Sequence, residues 1–333
     1  MKRRKVLVIA PLFFGYYKDI VEEFKAMGYE ADYICDAPSN SNLSKAMGRV
    51  NKSLIHRSTE TFFSRSVLPI IKQKTYDLIF LVAGMTFAFS VDMMRCLKKL
   101  QKEARYVMYQ WDSEVNLPFV RSIHPLFDRV YTFDRFDSLY KPGYLFLPLF
   151  YNHSYENIGK KSSREEYRYD CSYIGTAHPQ KYQKINEMSK ALEDIWPNQF
   201  IYHYMPSRLK YLYHKMFARE FQNVHFSEFQ TEKIPGEIAA KVFEESRCIL
   251  DAPQAGQRGL TIRSIECLGA KRKLITTNAD IKNYDFYKEN NILVFDGNIH
   301  ENSSFFREDY EELPEALYQK YSIKNWLKTI IEE

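Results

Sequence analysis

Short apolar runs alternate with amphipathic stretches along most of the chain. Residues 6–10 form a β-branched apolar run and predict a buried strand. Residues 11–17 read as a loop. Residues 18–27 carry Ile20, Val21, Phe24 and Met27 at helical spacing, with Asp19 complementing the helix dipole and Gly28 as the C-cap. Residues 30–35 predict the next strand. Strands follow at 78–82 and 106–110, and between them Met93, Leu97, Leu100 and Ala104 share one helical stripe. Residues 130–133 and 144–147 predict two more strands. The stretch 151–168 is polar, lacks apolar periodicity and reads as a linker.

The pattern then restarts. Strands are expected at 171–174, 200–204, 248–250, 274–276 and 292–295, with a short one near 224–226. Gly175 marks a turn, helices are expected over 235–246 and 261–268, and residues 313–331 are expected to be helical. Strands alternating with helices imply mainly parallel sheets covered on both faces. The expected organisation is an α/β domain over 1–150, a linker over 151–168, a second α/β domain over 169–312 and a helical segment over 313–333, with its last helix returning to the first domain as one arrangement.

Length and composition narrow the class. The 333 residues fit two domains, and 45% hydrophobic with 27% charged residues is an ordinary globular mixture. The net charge of +5 is too mild to mark a nucleic-acid binder, and no nucleic-acid partner is expected. Cys35, Cys96, Cys171, Cys248 and Cys267 are odd in number, widely spaced and mostly inside apolar runs, so they read as reduced thiols of a cytoplasmic protein. No C-x-x-C or H-x-x-x-H spacing suggests zinc, and no metal is expected. The basic, apolar opening is interrupted by Pro11 and leads straight into an amphipathic helix, so a signal peptide is not expected. The apolar run 78–89 is short of the ~18 residues a membrane span needs.

Several chemistries lack their signatures. Neither half has G-x-G-x-x-G after its first strand, which disfavours a nicotinamide dehydrogenase, and G-x-x-x-x-G-K-[ST] and G-x-S-x-G are absent. No D-x-D triplet occurs to hold a metal diphosphate; the nearest, Asp112-Ser113-Glu114, ends in Glu.

Residues 250–278 are the most informative. A strand ends at Leu250, and a polar loop with Gly256 and Gly259 leads into a helix beginning near Thr261. Glycine before a helix lets backbone approach an anion, and first-turn N–H groups point at it. Arg263 adds a charge-assisted grip on phosphate, and Glu266, three residues on, shares its face. A carboxylate there suits the vicinal diol of a ribose. The competing reading of Arg263 and Glu266 is an ordinary surface ion pair contributing ~0.2–0.5 kcal/mol. The placement after a strand's carboxyl end favours the ligand.

The run from Gly259 to Ala270 (GLTIRSIECLGA), followed by the strand Lys273–Thr276, resembles the donor-site helix of GT-B glycosyltransferases. It is most similar to the branch related to spore-maturation and bacterial surface-polysaccharide proteins. The run from Tyr169 to Thr176 (YDCSYIGT), with Lys181 beyond, resembles the strand that opens that family's second domain, and residues 234–250 are similar to the helix and strand before the donor loop. The resemblance covers about 169–296 well and 1–150 weakly. It implies two Rossmann-like domains facing across a cleft, the second holding a nucleotide sugar and the first an acceptor. By match, Glu266 would bind the ribose, and Arg263 with the Gly175-Thr176 turn the diphosphate, assisted by Lys181. Side chains and a helix dipole would neutralise the leaving group, so no metal is required. Many retaining members carry a second Glu eight residues before the ribose Glu. Here that position is Arg258, which puts that mechanism in doubt and offers phosphate a further cation.

An inverting transfer needs a base to deprotonate the acceptor hydroxyl. Asp112 follows the strand 106–110 at a sheet's carboxyl edge, beside Trp111, which suits a sugar face. The competing reading is that Asp112 caps a turn and Trp111 is core. Asp134 and Glu114 are weaker candidates. His178 lies near the phosphate turn, and His203 reads as a core histidine. Tyr202, Tyr204, Tyr211 and Tyr213 read mainly as packing. Between residues 45 and 74, Lys45, Arg49, Lys52, Arg57, Arg65, Lys72 and Lys74 face a single acid, Glu60, with Leu54, Ile55, Phe62 and Phe63 interleaved. This is either a solvated face or a patch for anionic lipid or a phosphorylated glycan.

The expected function is a metal-independent GT-B transferase moving a sugar, most simply from a UDP-sugar with a CMP-sugar as the alternative, to a glycan or lipid-linked acceptor of surface polysaccharide, lipopolysaccharide or capsule. It would work in the cytoplasm or against the inner membrane face. The rivals are a nucleotide-sugar epimerase of the same fold and a non-catalytic nucleotide-sugar-binding subunit.

Overall fold

The computed structural model describes residues 3–12, 15–38, 56–161, 167–254, 257–301 and 303–332. It divides into two compact units, Met1–Pro148 with Ile323–Glu333, and Leu149–Ser322.

The first unit is built on β1 (Lys5–Ala10), β2 (Glu30–Cys35), β3 (Leu78–Ala83), β4 (Arg105–Gln110), β5 (Arg129–Thr132) and β6 (Leu145–Phe146), in the order β2-β1-β3-β4-β5-β6 with every pair parallel. All six residues of β3, LIFLVA, are buried, as a central strand covered on both faces requires. The helix Tyr16–Ala26 crosses from β1 to β2 and Val91–Leu100 from β3 to β4; the Ser90 hydroxyl caps the latter by accepting from the Met93 N–H at 3.2 Å. The chain's last helix, Ile323–Glu332, also belongs to this unit. Its Trp326 is buried, with ring centroids 5.7 Å from Phe80 and 4.7 Å from Tyr109. Arg105 donates to the last carbonyls of that helix, Ile331 at 2.6 Å and Ile330 at 3.0 Å, where the helix dipole is negative.

The second unit holds β7 (Tyr169–Thr176), β8 (Gln199–Tyr204), β9 (Ser246–Asp251), β10 (Lys273–Thr276) and β11 (Ile292–Val294), all parallel, in the order β11-β10-β9-β7-β8. The chain runs from β7 outward to β8, then returns to the other side of β7 to lay down β9. That reversal opens a crevice outside the carboxyl ends of β7 and β9, where open α/β sheets take ligands. In the first unit the equivalent reversal lies between β1 and β3.

Four expectations change. The stretch read as a linker contains the helix His153–Lys160, whose Glu156, Ile158 and Gly159 are buried in the second unit; Asn152 caps it by accepting from the Ser154 and Tyr155 N–H groups. No strand forms near 224–226: a 3-10 turn, Phe226–Glu228, stands there, and Phe221, Val224 and Phe229 pack in a small core instead. The expected C-terminal segment divides, with Glu315–Lys320 in the second unit and Ile323–Glu332 in the first. In the basic region, Lys45, Arg49, Lys52, Leu54 and Ile55 lie outside the described residues, as does Gly256 of the loop after β9. Of the rest, Lys74 pairs with Glu30 and Asp32, each at 2.5 Å, and Phe63 is core rather than surface, with Phe62 packed against it.

The C-terminal helix is therefore a structural part of the first unit. Trp326→Ala is expected to lower that unit's unfolding free energy by about 3–5 kcal/mol, the usual cost of emptying a buried tryptophan site. Urea denaturation followed by tryptophan fluorescence checks this, and an unchanged transition would contradict the packing described.

Candidate functional site

The site in the second unit begins with Asp251, the last residue of β9, buried at the sheet's carboxyl edge. Lys181 rises from the helix Pro179–Ala191 that follows β7 and sets its Nζ 3.0 Å from Asp251 Oδ1. The other carboxylate oxygen accepts from the Thr261 hydroxyl at 2.5 Å, and Thr261 is the N-cap residue of the helix Ile262–Ala270. One carboxylate thus ties the helix after β7 to the start of the helix after β9. Burial disfavours the Lys181 ammonium, but the Asp251 carboxylate beside it outweighs that and holds its pKa above the ordinary lysine value.

Gly175 and Thr176 end β7 next to this pair. A Cβ at Gly175 would collide with the ring and hydroxyl of Tyr173, so glycine is what lets that ring lie beneath the turn. The Lys181 ammonium sits 5.7 Å from the Tyr173 ring centroid. Asn278, two residues past β10, donates to the carbonyls of Arg258 at 3.0 Å and Gly259 at 3.4 Å, pinning the end of the loop after β9 to the sheet.

Arg263 occupies the first turn of the helix Ile262–Ala270. Its Nη1 is 3.0 Å from Glu266 Oε2, and its guanidinium lies 5.4 Å from the ring centroid of Phe243. The Arg263 side chain keeps 30% exposure, whereas Glu266 keeps 4%. Glu266 also receives the Tyr155 hydroxyl from the helix His153–Lys160; burial and the Glu266 charge together push that phenol far above its ordinary range. The pair is therefore not an ordinary surface ion pair. Glu266 is enclosed and holds Arg263 in place, and Arg263 is the member that stays accessible.

Two glycines make this enclosure sterically feasible. A Cβ on Gly159 would collide with the Gly269 carbonyl, and a Cβ on Gly269 would collide with Tyr151, with the ring atom Cδ2 at 2.9 Å. The helices carrying Tyr155 and Glu266 thus approach at backbone contact.

Lys181, Gly175, Thr176, Gly259 and Arg263 are gathered at the carboxyl edge around Asp251. Arg258 holds its place through its backbone, and its side chain is exposed. His178 is the N-cap residue of the helix Pro179–Ala191, with its Nε2 3.5 Å from Gln254 Nε2. His203 is a core residue contacting Asn186 at 3.0 Å, and burial depresses its pKa to about 4.

In the first unit, Asp112 lies just past β4, and its Oδ2 accepts from the Met85 N–H at 3.0 Å, capping the turn after β3. Trp111 packs its ring 5.5 Å from Tyr16 and 6.0 Å from Tyr109. The two weaker acceptor candidates are each held by neighbouring groups. Glu114 receives Arg121 at 2.8 Å, Tyr144 at 2.9 Å and Lys141 at 3.2 Å; burial alone would raise its pKa, but these donors hold it below the usual carboxylate range. Asp134 caps the helix Arg135–Tyr140, accepting from the Phe136 N–H at 2.9 Å and also from the Ser113 hydroxyl. Among the described residues no group of three or more His, Cys, Asp or Glu side chains is placed to hold a metal ion.

Asp251, Tyr155 and Tyr173 were not anticipated. Asp251 had a visible signal, a carboxylate directly after an apolar strand run. Tyr155 had none, since its helix is polar in sequence.

No protein-family model matches the chain, and no curated protein sequence does. Solved structures do match over nearly its full length. An alpha-glucosyltransferase solved with UDP and a 13-mer DNA aligns at 14% identity over 98% of this chain and 94% of its own, with a TM-score of 0.60. Anabaena Alr3699/HepE, solved with UDP and glucose, aligns at 10% identity over 99% of both chains with a TM-score of 0.56. The lipopolysaccharide outer core galactosyltransferase WaaB aligns at 11% identity over 98% and 99%, with a TM-score of 0.53. With its two parallel α/β sheets, the chain has the GT-B fold, two Rossmann-like domains.

Gly159→Ala is expected to force the two helices apart and cost about 1–3 kcal/mol, because the obstacle is a backbone carbonyl and not a side chain that can turn away. Urea titration of the full chain measures this, and a wild-type midpoint would contradict the close crossing.

Proposed function

We propose that the chain is a glycosyltransferase that binds a nucleotide sugar, most simply a UDP-sugar, in its second unit and transfers the sugar to a hydroxyl of a glycan or lipid-linked acceptor in surface-polysaccharide assembly. The observation that carries this reading is the set Lys181, Asp251, Thr261 and Arg263, gathered where β7 and β9 part. It supplies two cations and a helix N-terminus to a diphosphate at the place where such sheets bind ligands. The UDP in two of the three similar structures supports a uridine donor, and the galactosyltransferase among them supports a lipopolysaccharide-type acceptor.

The chemistry follows from charge. As the glycosidic bond breaks, negative charge grows on the departing diphosphate. Lys181 and Arg263, already oriented by Asp251 and Glu266, neutralise that charge with little reorganisation. These cations can fill the role a divalent metal plays elsewhere, so the reaction is proposed to be metal-independent. Asp112 is the proposed base toward the acceptor hydroxyl. The Met85 N–H fixes its carboxylate at the strand end. Glu266 is proposed to position Arg263 rather than to bind ribose, because its carboxylate is already enclosed by Arg263 and Tyr155.

Isothermal titration with UDP, UDP-sugars and CMP-sugars tests the donor site. The double variant Arg263→Ala/Glu266→Gln, which removes the cation without leaving its enclosed carboxylate unpaired, is expected to weaken UDP by about 1.5–3 kcal/mol, roughly a 10- to 100-fold rise in Kd, with folding intact by circular dichroism. Equal affinity in the variant would reject the assignment. Because Lys181 is displaced upward, its ammonium persists through the neutral range, and affinity for a UDP-sugar, whose diphosphate has no group titrating near neutrality, is expected to stay flat between about pH 7 and pH 9. A loss of binding on going up through that window would show Lys181 deprotonating and contradict its pairing. Acceptor-dependent UDP release should survive a chelator. A donor isomerised without acceptor would point to an epimerase, and binding without turnover to a non-catalytic subunit.

A further inference from the structure

One helix of the second unit has an apolar face that none of the described residues of that unit covers. The helix Arg208–Phe217, RLKYLYHKMF, exposes Leu209 at 79%, Leu212 at 51%, Tyr213 at 60%, Met216 at 74% and Phe217 at 71%. These positions follow the i, i+3, i+4, i+7, i+8 rule and form one stripe. The opposite side is anchored. Tyr211 is buried in the small core with Phe221 and Phe229, and its hydroxyl donates to the Val224 carbonyl at 2.8 Å. The helix therefore cannot turn its stripe inward.

Charge borders the stripe on both sides. At 100° per residue, Arg208 and Lys215 fall along one edge, and Lys210 along the other. No carboxylate occurs from Ser207 to Arg219, and Arg219 adds a fourth full positive charge just past the helix. Arg208 is exposed with its guanidinium 5.2 Å from the Phe226 ring centroid, while Lys215 reaches back to the Val224 carbonyl at 3.1 Å.

We propose that this helix lies in the surface of an anionic lipid bilayer, its stripe in the acyl boundary and its cations at headgroup level. A helix with an apolar face of Leu, Met and Phe and a basic border is built for that plane, and long cationic side chains can keep their stems apolar and their charges among phosphates. The ring of cations selects lipid over a second copy of the chain. A two-fold contact through this face would bring two basic borders together, with no carboxylate on the helix to balance them. The placement differs from the basic region at 45–74 and does not depend on the transferase reading. Among the described residues no helix is long and apolar enough to cross a membrane, so the contact is peripheral.

Sedimentation of the full chain with vesicles tests the proposal. Binding to vesicles with about 30 mol% phosphatidylglycerol is expected to exceed binding to phosphatidylcholine alone by about tenfold or more, and to fall as salt is added. The double variant Leu209→Glu/Met216→Glu is expected to lose binding about tenfold or more, and Arg208→Glu/Lys210→Glu to lose the anionic preference. Both pairs sit on the outer side, so melting temperature and UDP affinity should match wild type in the same preparations. Absence of vesicle binding would overturn the proposal, as would equal binding by the Leu209/Met216 variant. So would binding that is lost only in Arg57→Glu/Arg65→Glu, or a dimer in sedimentation equilibrium that Met216→Glu dissolves while vesicles stay unbound.

Discussion

The arrangement of the second unit depends on backbone contact between two glycines. Gly159 and Gly269 stand where the helices His153–Lys160 and Ile262–Ala270 cross, and neither position has room for a methyl group. The crossing carries Tyr155 onto Glu266, and Glu266 in turn holds Arg263. At the front of the same helix, Thr261 binds Asp251, which holds Lys181. Two cations are thereby fixed through two carboxylates, each nearly out of solvent. Such carboxylates are stable only while their partners stay in place, since an unpaired buried charge costs several kcal/mol. The geometry is preorganised because its alternatives are expensive.

The two units apply one rule with different results. Each is an open parallel sheet whose strand order reverses, and each has polar groups at the carboxyl ends beside that reversal. In the second unit these groups are cationic and held by acids. In the first, Asp112 stands over the turn after β3 with Trp111 beside it, and the neighbouring acids Glu114 and Asp134 are absorbed into a network with Arg121, Lys141, Tyr144 and Ser113. All three acids stand near the end of a strand, and what separates them is the donors that hold each.

Much of this was legible in the order of residues. Buried parallel strands are nearly continuous apolar runs, so β1, β3 and β9 stand out as VLVIA, LIFLVA and CIL. The spacing of Arg263 and Glu266 told that they share a face, but not that the face is covered. The cover comes from Tyr155, more than a hundred residues earlier, in a helix whose inward side is made of Glu156, Ile158 and Gly159. Hydrophobic periodicity cannot detect a helix that is held by glycine contact and by a buried glutamate. The same limit explains Glu114 and Asp134. Position at a strand end is local, whereas the partners that occupy them come from up to 30 residues further along. Residues 224–226 were apolar enough for a strand, but Phe221, Val224 and Phe229 are spent on a separate small core.

The last helix has a bearing on how the protein is made. Residues 149–322 are an insertion between the two pieces of the first unit, and Trp326 covers Phe80 and Tyr109 from beyond that insertion. During translation, the N-terminal sheet must wait with an uncovered aromatic face while the later unit emerges whole. The unit synthesised second is therefore free to finish folding first, and the growing chain carries an incomplete half until the helix Ile323–Glu332 has left the ribosome.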